Sequence, residues 1–369
     1  MEGTEADAVK TMDDIRVEDY SDITHGYLRR ASMKTYFILA MAASVLLLAL
    51  ITIRLGATDL TYMDILHTLV HRDDPVMTWT VFEWRLPTIV GAILCGSALG
   101  VAGSVMQGTL RNPMASPSTL GISGAAAFGA GLGIMILGGG VMASQTVVNP
   151  YLVTASAFLF AMVSVGVILL LIRIIDASPE TIILTGVAIG AIFGSGLSFL
   201  QYFASEATLA TIVFWQFGSL AKASWSNIPI ILCALLAAFA YFYYKRWDYN
   251  AMEAGDDMAG SLGVDIDSTR ILSLVMSSLI TAIVVTFMGV IGFVGLIAPH
   301  IVKKLIGNDY RYLLIGSVLM GSAVMLLSNI FAAHVLPAAI GTAVPVGIIT
   351  SLIGGPMFIA ILIGRRVKA

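Results

Sequence analysis

An all-α, polytopic membrane protein with about ten transmembrane helices is the fold class that this sequence predicts. Three observations carry the expectation. Of 369 residues, 58% are apolar and only 12% are charged, about half the charged share of an ordinary soluble chain. The charges are also crowded, because residues 1–34 hold thirteen of the 43 and the other 335 share thirty. No Asp, Glu, Lys or Arg falls in 112–172, 271–302 or 312–364. A helix crosses about 30 Å of hydrocarbon with roughly 20 apolar residues. The uncharged runs of 61 and 53 residues therefore hold at least two crossings each. A soluble enzyme is excluded. Twenty basic against 23 acidic residues leave no basic excess to suggest nucleic acid.

Residues 1–27 are polar and acidic, with too few core-forming side chains to pack, and read as a disordered or peripheral arm. With Arg29, Arg30 and Lys34 they make a polar cytoplasmic arm over 1–34. The 19-residue apolar run that follows is longer than the apolar core of a signal peptide, so it stays in the membrane. Windows bounded by charges or turn residues then fall at 35–54, 86–109, 117–139, 151–173, 181–204, 226–244, 270–290, 293–306, 312–332 and 345–364. Charged residues such as Arg54, Arg85, Arg173, Lys245, Arg270 and Arg311 mark their ends. The eighth window is short. The stretch 207–221 is uncharged but interrupted by Gly218, and reads as a lateral helix outside the membrane. The membrane domain is thus 35–366, with a cytoplasmic loop at 245–270.

With the N-terminus inside, cytoplasmic segments hold sixteen basic residues and external ones four, Arg54, Arg72, Arg85 and Lys222. That asymmetry places both termini in the cytoplasm. Cys95 and Cys233 lie in apolar stretches and read as buried thiols without a disulfide or CxxC partner. Gly186, Gly190 and Gly194 recur every four residues, and Gly96 and Gly100 repeat the pattern. Such faces let helix backbones approach closely in lipid, either as fixed packing or beside a moving pathway.

Proton- and sodium-driven carriers need ionisable relays near the midplane. Only His300 and His334 qualify here; both fall near expected helix ends, without acidic partners. The sequence has no GxxxxGK[ST] phosphate loop, so ATP would have to come from a separate subunit. A docking surface for that subunit is expected in 252–264. There Met252, Met258, Ala259 and Leu262 form an apolar stripe on a short helix, with acids opposite, and Gly263 sits as its left-handed C-terminal residue.

Specific motifs sharpen this. Arg85-Leu86-Pro87, Gly103-Ser104-Val105-Met106-Gln107-Gly108, Arg111-Asn112-Pro113-Met114-Ala115-Ser116-Pro117 and Leu120-Gly121-Ile122-Ser123-Gly124 occur in order. Gly255-Asp256, Leu262-Gly263, Gly292-Phe293-Val294-Gly295-Leu296-Ile297-Ala298-Pro299-His300, Pro345-Val346-Gly347 and Gly354-Gly355-Pro356 follow. Over about 35–366 the chain resembles the FecCD family, permeases of ABC importers for iron-siderophores, haem and cobalamin. The resemblance implies a type II importer fold with ten crossings, a permease homodimer, two cytoplasmic ABC ATPases and an extracytoplasmic substrate-binding protein. It implies a transport subunit in the cytoplasmic membrane, not an enzyme. The chain itself would bind no cofactor, since ATP and its magnesium belong to the ATPase.

By position, the resemblance assigns ATPase coupling to Gly255, Asp256, Ala259, Leu262 and Gly263, and binding-protein docking to Arg85. A rim ion pair there would orient docking more than it adds affinity, while the alternative is an interfacial anchor beside Trp84. Gly186, Gly190, Gly194, Ser198 and Gln201 on the fifth crossing are assigned to the pathway, with Ser178–Glu180 at an inner constriction. The expected mechanism is alternating access: ATP binding closes the ATPases, and 252–264 passes the motion to 181–204. Thr88 and Ala333 stand where some members carry arginine, Ala343-Val344 where many have Glu-Leu, and Ser116 where many have Asp. The Ala-Ser-Pro variant followed by Thr-Leu-Gly favours an iron-siderophore cargo over cobalamin or haem.

Two other readings compete. An intramembrane serine protease would pair Ser123 with His334, which the topology separates by much of the bilayer. His67 and His71, four apart, would share a helix face suited to a metal, with Asp64, Asp73 or Asp74 as a third ligand. A short amphipathic helix accounts for them without metal.

Overall fold

The structure is a computed structural model that describes residues 17–56, 60–137, 149–174 and 178–366. Among these it contains helices and no strand. The first helix, α1 (Val17–Arg54), spans 38 residues, about 57 Å at helical rise. It begins inside the segment read as a disordered or peripheral arm, so residues 17–27 are helical rather than disordered, which leaves the peripheral reading; residues 1–16 lie outside the described part. Two short helices follow, α2 (Tyr62–His71) and α3 (Pro75–Trp79). Thr61 caps α2, its hydroxyl accepting from the Asp64 amide while Asp64 accepts from the Thr61 amide. α3 runs through a π-helical turn, Thr80–Arg85, into α4 (Leu86–Thr109), making one 35-residue helix that starts eleven positions before the window expected from hydropathy.

After α4 come α5 (Ile122–Leu132), α6 (Pro150–Ile174), α7 (Pro179–Phe203) and the short α8 (Glu206–Gln216). Then follow α9 (Ile228–Tyr244), α10 (Arg246–Glu253), α11 (Asp256–Ser261), α12 (Ile266–Met288) and α13 (Val294–Ile306). The chain closes with α14 (Tyr310–Ile330), α15 (Leu336–Ile340) and α16 (Val346–Arg366). Among the described residues six helices are long and apolar enough to cross a membrane, or seven if α9 and α10, bent by 57°, count as one span. The other sequence windows hold α5, α9, α13 and α16. α8 is a separate helix, as the 207–221 stretch suggested.

α4 is the axis of the molecule. It packs against α9, α12, α13 and α14, and 89% of its apolar window is buried. Small residues make that possible. A Cβ at Gly96 would lie 2.6 Å from the Gly321 carbonyl carbon and 2.8 Å from Ser322 Cα, while one at Gly100 would meet the Ser317 carbonyl. At Gly103 it would meet the Gly295 backbone. Two facing helices, α14 and α13, thus approach α4 backbone to backbone, where dispersion replaces the hydrophobic drive that lipid does not supply. Ser97 and Ser322 share a buried hydrogen bond of 2.9 Å across the α4–α14 seam. A second apolar cluster joins α5, α6, α7 and α8, with Leu274, Ala282 and Val285 of α12 packed into it.

Candidate functional site

The chain turns by 57° after α9, and the helix that follows is fastened from several sides. Tyr249 and Met252, one turn apart on α10, are both buried. The Tyr249 hydroxyl shares a 2.8 Å hydrogen bond with Ser273 of α12, and its ring lies 5.4 Å from that of Tyr310. The Tyr310 amide donates to Asn250 Oδ1 at 2.9 Å, and Asn308 Nδ2 donates to Glu253 at 2.6 Å. α10 is therefore held against the start of α14 and the side of α12.

Gly255 then takes φ +123°, which an L side chain rarely adopts, and α11 begins. α11 ends as the sequence suggested. Gly263 is left-handed at φ +82°, the Gly263 amide donates to Gly260 O at 3.0 Å, and Val264 donates to Ala259 O at 3.0 Å. The apolar stripe is not continuous, which corrects the expectation of a single helix. Met252 and Ala259 are fully buried on two different helices, whereas Met258 and Leu262 are 54% and 66% exposed. Burial uses the first pair as anchors and leaves the second pair for something else to cover.

Arg270 ties this module to the bundle. It is only 4% exposed, donating from Nη2 to Asp256 at 2.9 Å and from Nε to the carbonyl of Thr109, the last residue of α4, at 3.1 Å. Displacing α11 therefore pulls on α12, through Arg270, and on the end of α4.

The glycines of α7 do not form one open face. A Cβ at Gly186 would lie 2.6 Å from Leu120 Cα, and one at Gly190 3.4 Å from Gly121 Cα, so both pack against the turn that starts α5. Nothing lies within 4 Å of the position at Gly194. Ser198, on the same half of the helix, is exposed and donates to Gly194 O at 3.1 Å; Gln201 is half-buried. Leu184, Val187, Ile192, Phe199 and Tyr202 leave α7 with a broad uncovered apolar face. Ser178 caps α7, its hydroxyl accepting from the Thr181 amide at 3.3 Å.

Arg85 is turned inward. Its side chain is 5% exposed, and Nη1 donates to Ile53 O at 2.7 Å and Arg54 O at 3.0 Å, the terminal carbonyls of α1. That corrects its placement as an exposed docking cation and makes it a clamp between α1 and the α3–α4 helix. Ser123 is buried and its hydroxyl has no hydrogen-bond partner among the described residues, so no Ser–His pair exists there. His67 and His71 have ring centroids 4.7 Å apart, but Asp64 is taken up by the helix cap. No group of three metal-ligating side chains forms among the described residues. His300 sits in the middle of α13 rather than at its end, and Cys233 is exposed rather than buried.

A profile of the FecCD transport family matches residues 17–364. The chain belongs to that family. It is 41% identical over 345 residues to a Methanocaldococcus jannaschii protein named as an ABC transporter permease, covering 93% of this chain and 98% of that one. The hemin transport system permease of Yersinia pestis is 31% identical, covering 87% of this FecCD chain and 93% of its own. The cobalamin import system permease of Halobacterium salinarum is 36% identical, with 77% and 73% covered. A solved structure described as an inward-facing conformation of a metal-chelate type ABC transporter superposes with a TM-score of 0.77 at 28% identity, covering 89% of this chain and 99% of that chain.

This FecCD chain is thus an ABC importer permease of type II fold and a multi-pass membrane protein, a transport subunit rather than a catalyst. The sequence reading missed Arg270, which appeared only as a basic helix boundary. Its partner Asp256 lies fourteen positions away, and its contact with Thr109 spans 161 positions. No local pattern signals such a contact.

Proposed function

We propose that this permease imports an iron-siderophore complex across the cytoplasmic membrane, working as a homodimer with two ABC ATPases and an external binding protein. Ten crossings and cytoplasmic termini complete the reading, supported by the sixteen-to-four partition of basic residues. Relatives named for hemin, cobalamin and Fe(3+)-citrate support a large metal chelate as cargo. The observation that carries the mechanism is the fastening of α11 through Arg270 to Asp256 and to the end of α4. ATP-driven closure of the ATPases would move Asp256–Gly263 and, through that link, the helices beside the pathway. Gly194, Ser198 and Gln201 are the part of α7 that fits a lining, whereas Gly186 and Gly190 serve packing. ATP and magnesium belong to the ATPase, and selectivity belongs to the binding protein.

The test is co-purification of the detergent-solubilised permease with its candidate ATPase, followed by hydrolysis with binding proteins loaded with ferric siderophore, haem or cobalamin. Stimulation by the siderophore-loaded protein is expected. Stimulation only by a haem- or cobalamin-loaded protein would move the cargo to that class. No associated ATPase would refute the proposed assembly.

A further inference from the structure

A cavity of about 460 Å³ opens beside the coupling module, between the end of α4, the second half of α13 and the α13–α14 turn. Its wall carries Arg111, Lys303 and Lys304 against a single carboxylate, Glu253. That carboxylate already accepts the 2.6 Å hydrogen bond from Asn308. Arg111 and Lys304 make no ion pair among the described residues.

Two further observations mark a built site. Gln107, 2% exposed, borders the cavity. Its Nε2 donates to Leu296 O at 3.3 Å and Gly295 O at 3.5 Å, which fixes the amide so that Oε1 is an acceptor. That Oε1 is buried without a partner among the described residues. A buried acceptor left unmade is costly, so a donor reaching it from the cavity that Gln107 borders would be stabilising. The second observation is Arg111 itself. α4 ends in a left-handed closure, with the Arg111 amide donating to Gly108 O at 3.0 Å and Asn112 donating to Gln107 O at 3.1 Å. The left-handed position of that closure ordinarily falls to glycine, yet here Arg111 holds φ +46°. Arg111 thus lines the cavity from a backbone conformation that an L residue adopts at some cost.

We propose that this cavity binds a phosphate ester that also carries a hydroxyl or ammonium donor. The phosphate would sit against Arg111 and Lys304, with the donor turned to Gln107 Oε1 and Glu253. A planar guanidinium suits phosphate oxygens. Lipid headgroups and soluble glycerophosphates share this chemistry. Lipid is favoured by position, because the cavity lies at the basic ends of membrane helices, where anionic lipid gathers.

The test uses the purified full-length permease in neutral detergent, with Tm followed on adding phosphatidylglycerol, phosphatidylcholine or sn-glycerol 3-phosphate. Arg111→Gly, which suits the left-handed backbone, is combined with Lys304→Gln. Phosphatidylglycerol is expected to raise the wild-type Tm, and the double variant to need at least about tenfold more lipid for the same rise. An equal rise with glycerol phosphate would keep the site and assign it a soluble ligand. Equal response to phosphatidylcholine, which lacks a donor, would overturn the proposal, as would an unchanged double variant. So would a double variant that binds phosphatidylglycerol normally but loses its ATPase, since the cations would then serve a protein interface.

Discussion

Gly96→Ala and Gly194→Ala remove one hydrogen and add one methyl in positions that look alike in sequence, yet opposite outcomes are expected. At Gly96 the new methyl would lie 2.6 Å from a backbone carbon of α14, where ordinary contact begins near 3.4 Å. The α4–α14 seam must open by at least about 0.8 Å, and the obstacle is backbone, so no rotamer change relieves it. Overpacking a core costs about 1–3 kcal/mol, and more where backbone must shift. Opening the seam also stretches the buried Ser97–Ser322 hydrogen bond, whose net worth is roughly 1 kcal/mol. The sum is about 2–4 kcal/mol of destabilisation, against which the better helix propensity of alanine returns at most about 1 kcal/mol. At Gly194 nothing is met within 4 Å, so only the propensity gain remains. Thermal unfolding in one detergent, with both variants beside wild type, reads the contrast. Gly96→Ala should unfold well below wild type and Gly194→Ala at or above it. An unchanged Tm for Gly96→Ala, or equal losses in both, would refute the packing argument.

Asp256→Asn weakens the Arg270 link and Gly263→Ala strains φ +82° by about 1 kcal/mol; both should lower uptake in proteoliposomes more than ATP hydrolysis, while normal uptake would remove the coupling role from this module. Arg85→Gln strips two hydrogen bonds from the end of α1 and should destabilise by about 1–3 kcal/mol. Its effect on binding-protein affinity should not depend on salt; a loss that is larger at low salt would return Arg85 to the docking rim. Lys222 is pushed down to about 8 by burial, although the Trp215 carbonyl and ring both favour its charge. Between about 8 and its ordinary value of 10.5 the folded chain binds fewer protons than the unfolded one, so stability should rise with pH across that window. Lys222→Met should abolish that rise, as followed by Tm against pH; a rise that persists would place its source elsewhere.

Helix positions were legible because lipid demands long uncharged runs, and each of the ten windows contains a helix. The α11 terminus was legible too, since a glycine after a short amphipathic run closes a helix by local hydrogen bonds. What stayed hidden depends on partners distant in sequence. Glycines at four-residue spacing announce close approach without naming a neighbour; Gly96 meets α14, Gly186 meets the α5 turn, and Gly194 meets nothing. Arg85 carries a charge and follows Trp84, which suggests a surface. The structure buries it because the last carbonyls of α1 need donors. The 252–264 stripe split because Gly255 breaks the helix, so residues that would align on one helix belong to two.

The burial of α4 has a consequence for how the chain is made. Its partners at Gly321 and Ser322 are synthesised 225 positions after Ser97. At roughly 5–20 residues per second, α4 waits on the order of 10–45 s before the helix that covers it exists. During that interval the small-residue faces at Gly96, Gly100 and Gly103 touch lipid or the insertion machinery. The hydropathy of α4 is thus a requirement of its passage into the bilayer more than of its final position. Substitutions that lower that hydropathy should deplete the inserted chain before they weaken the finished fold.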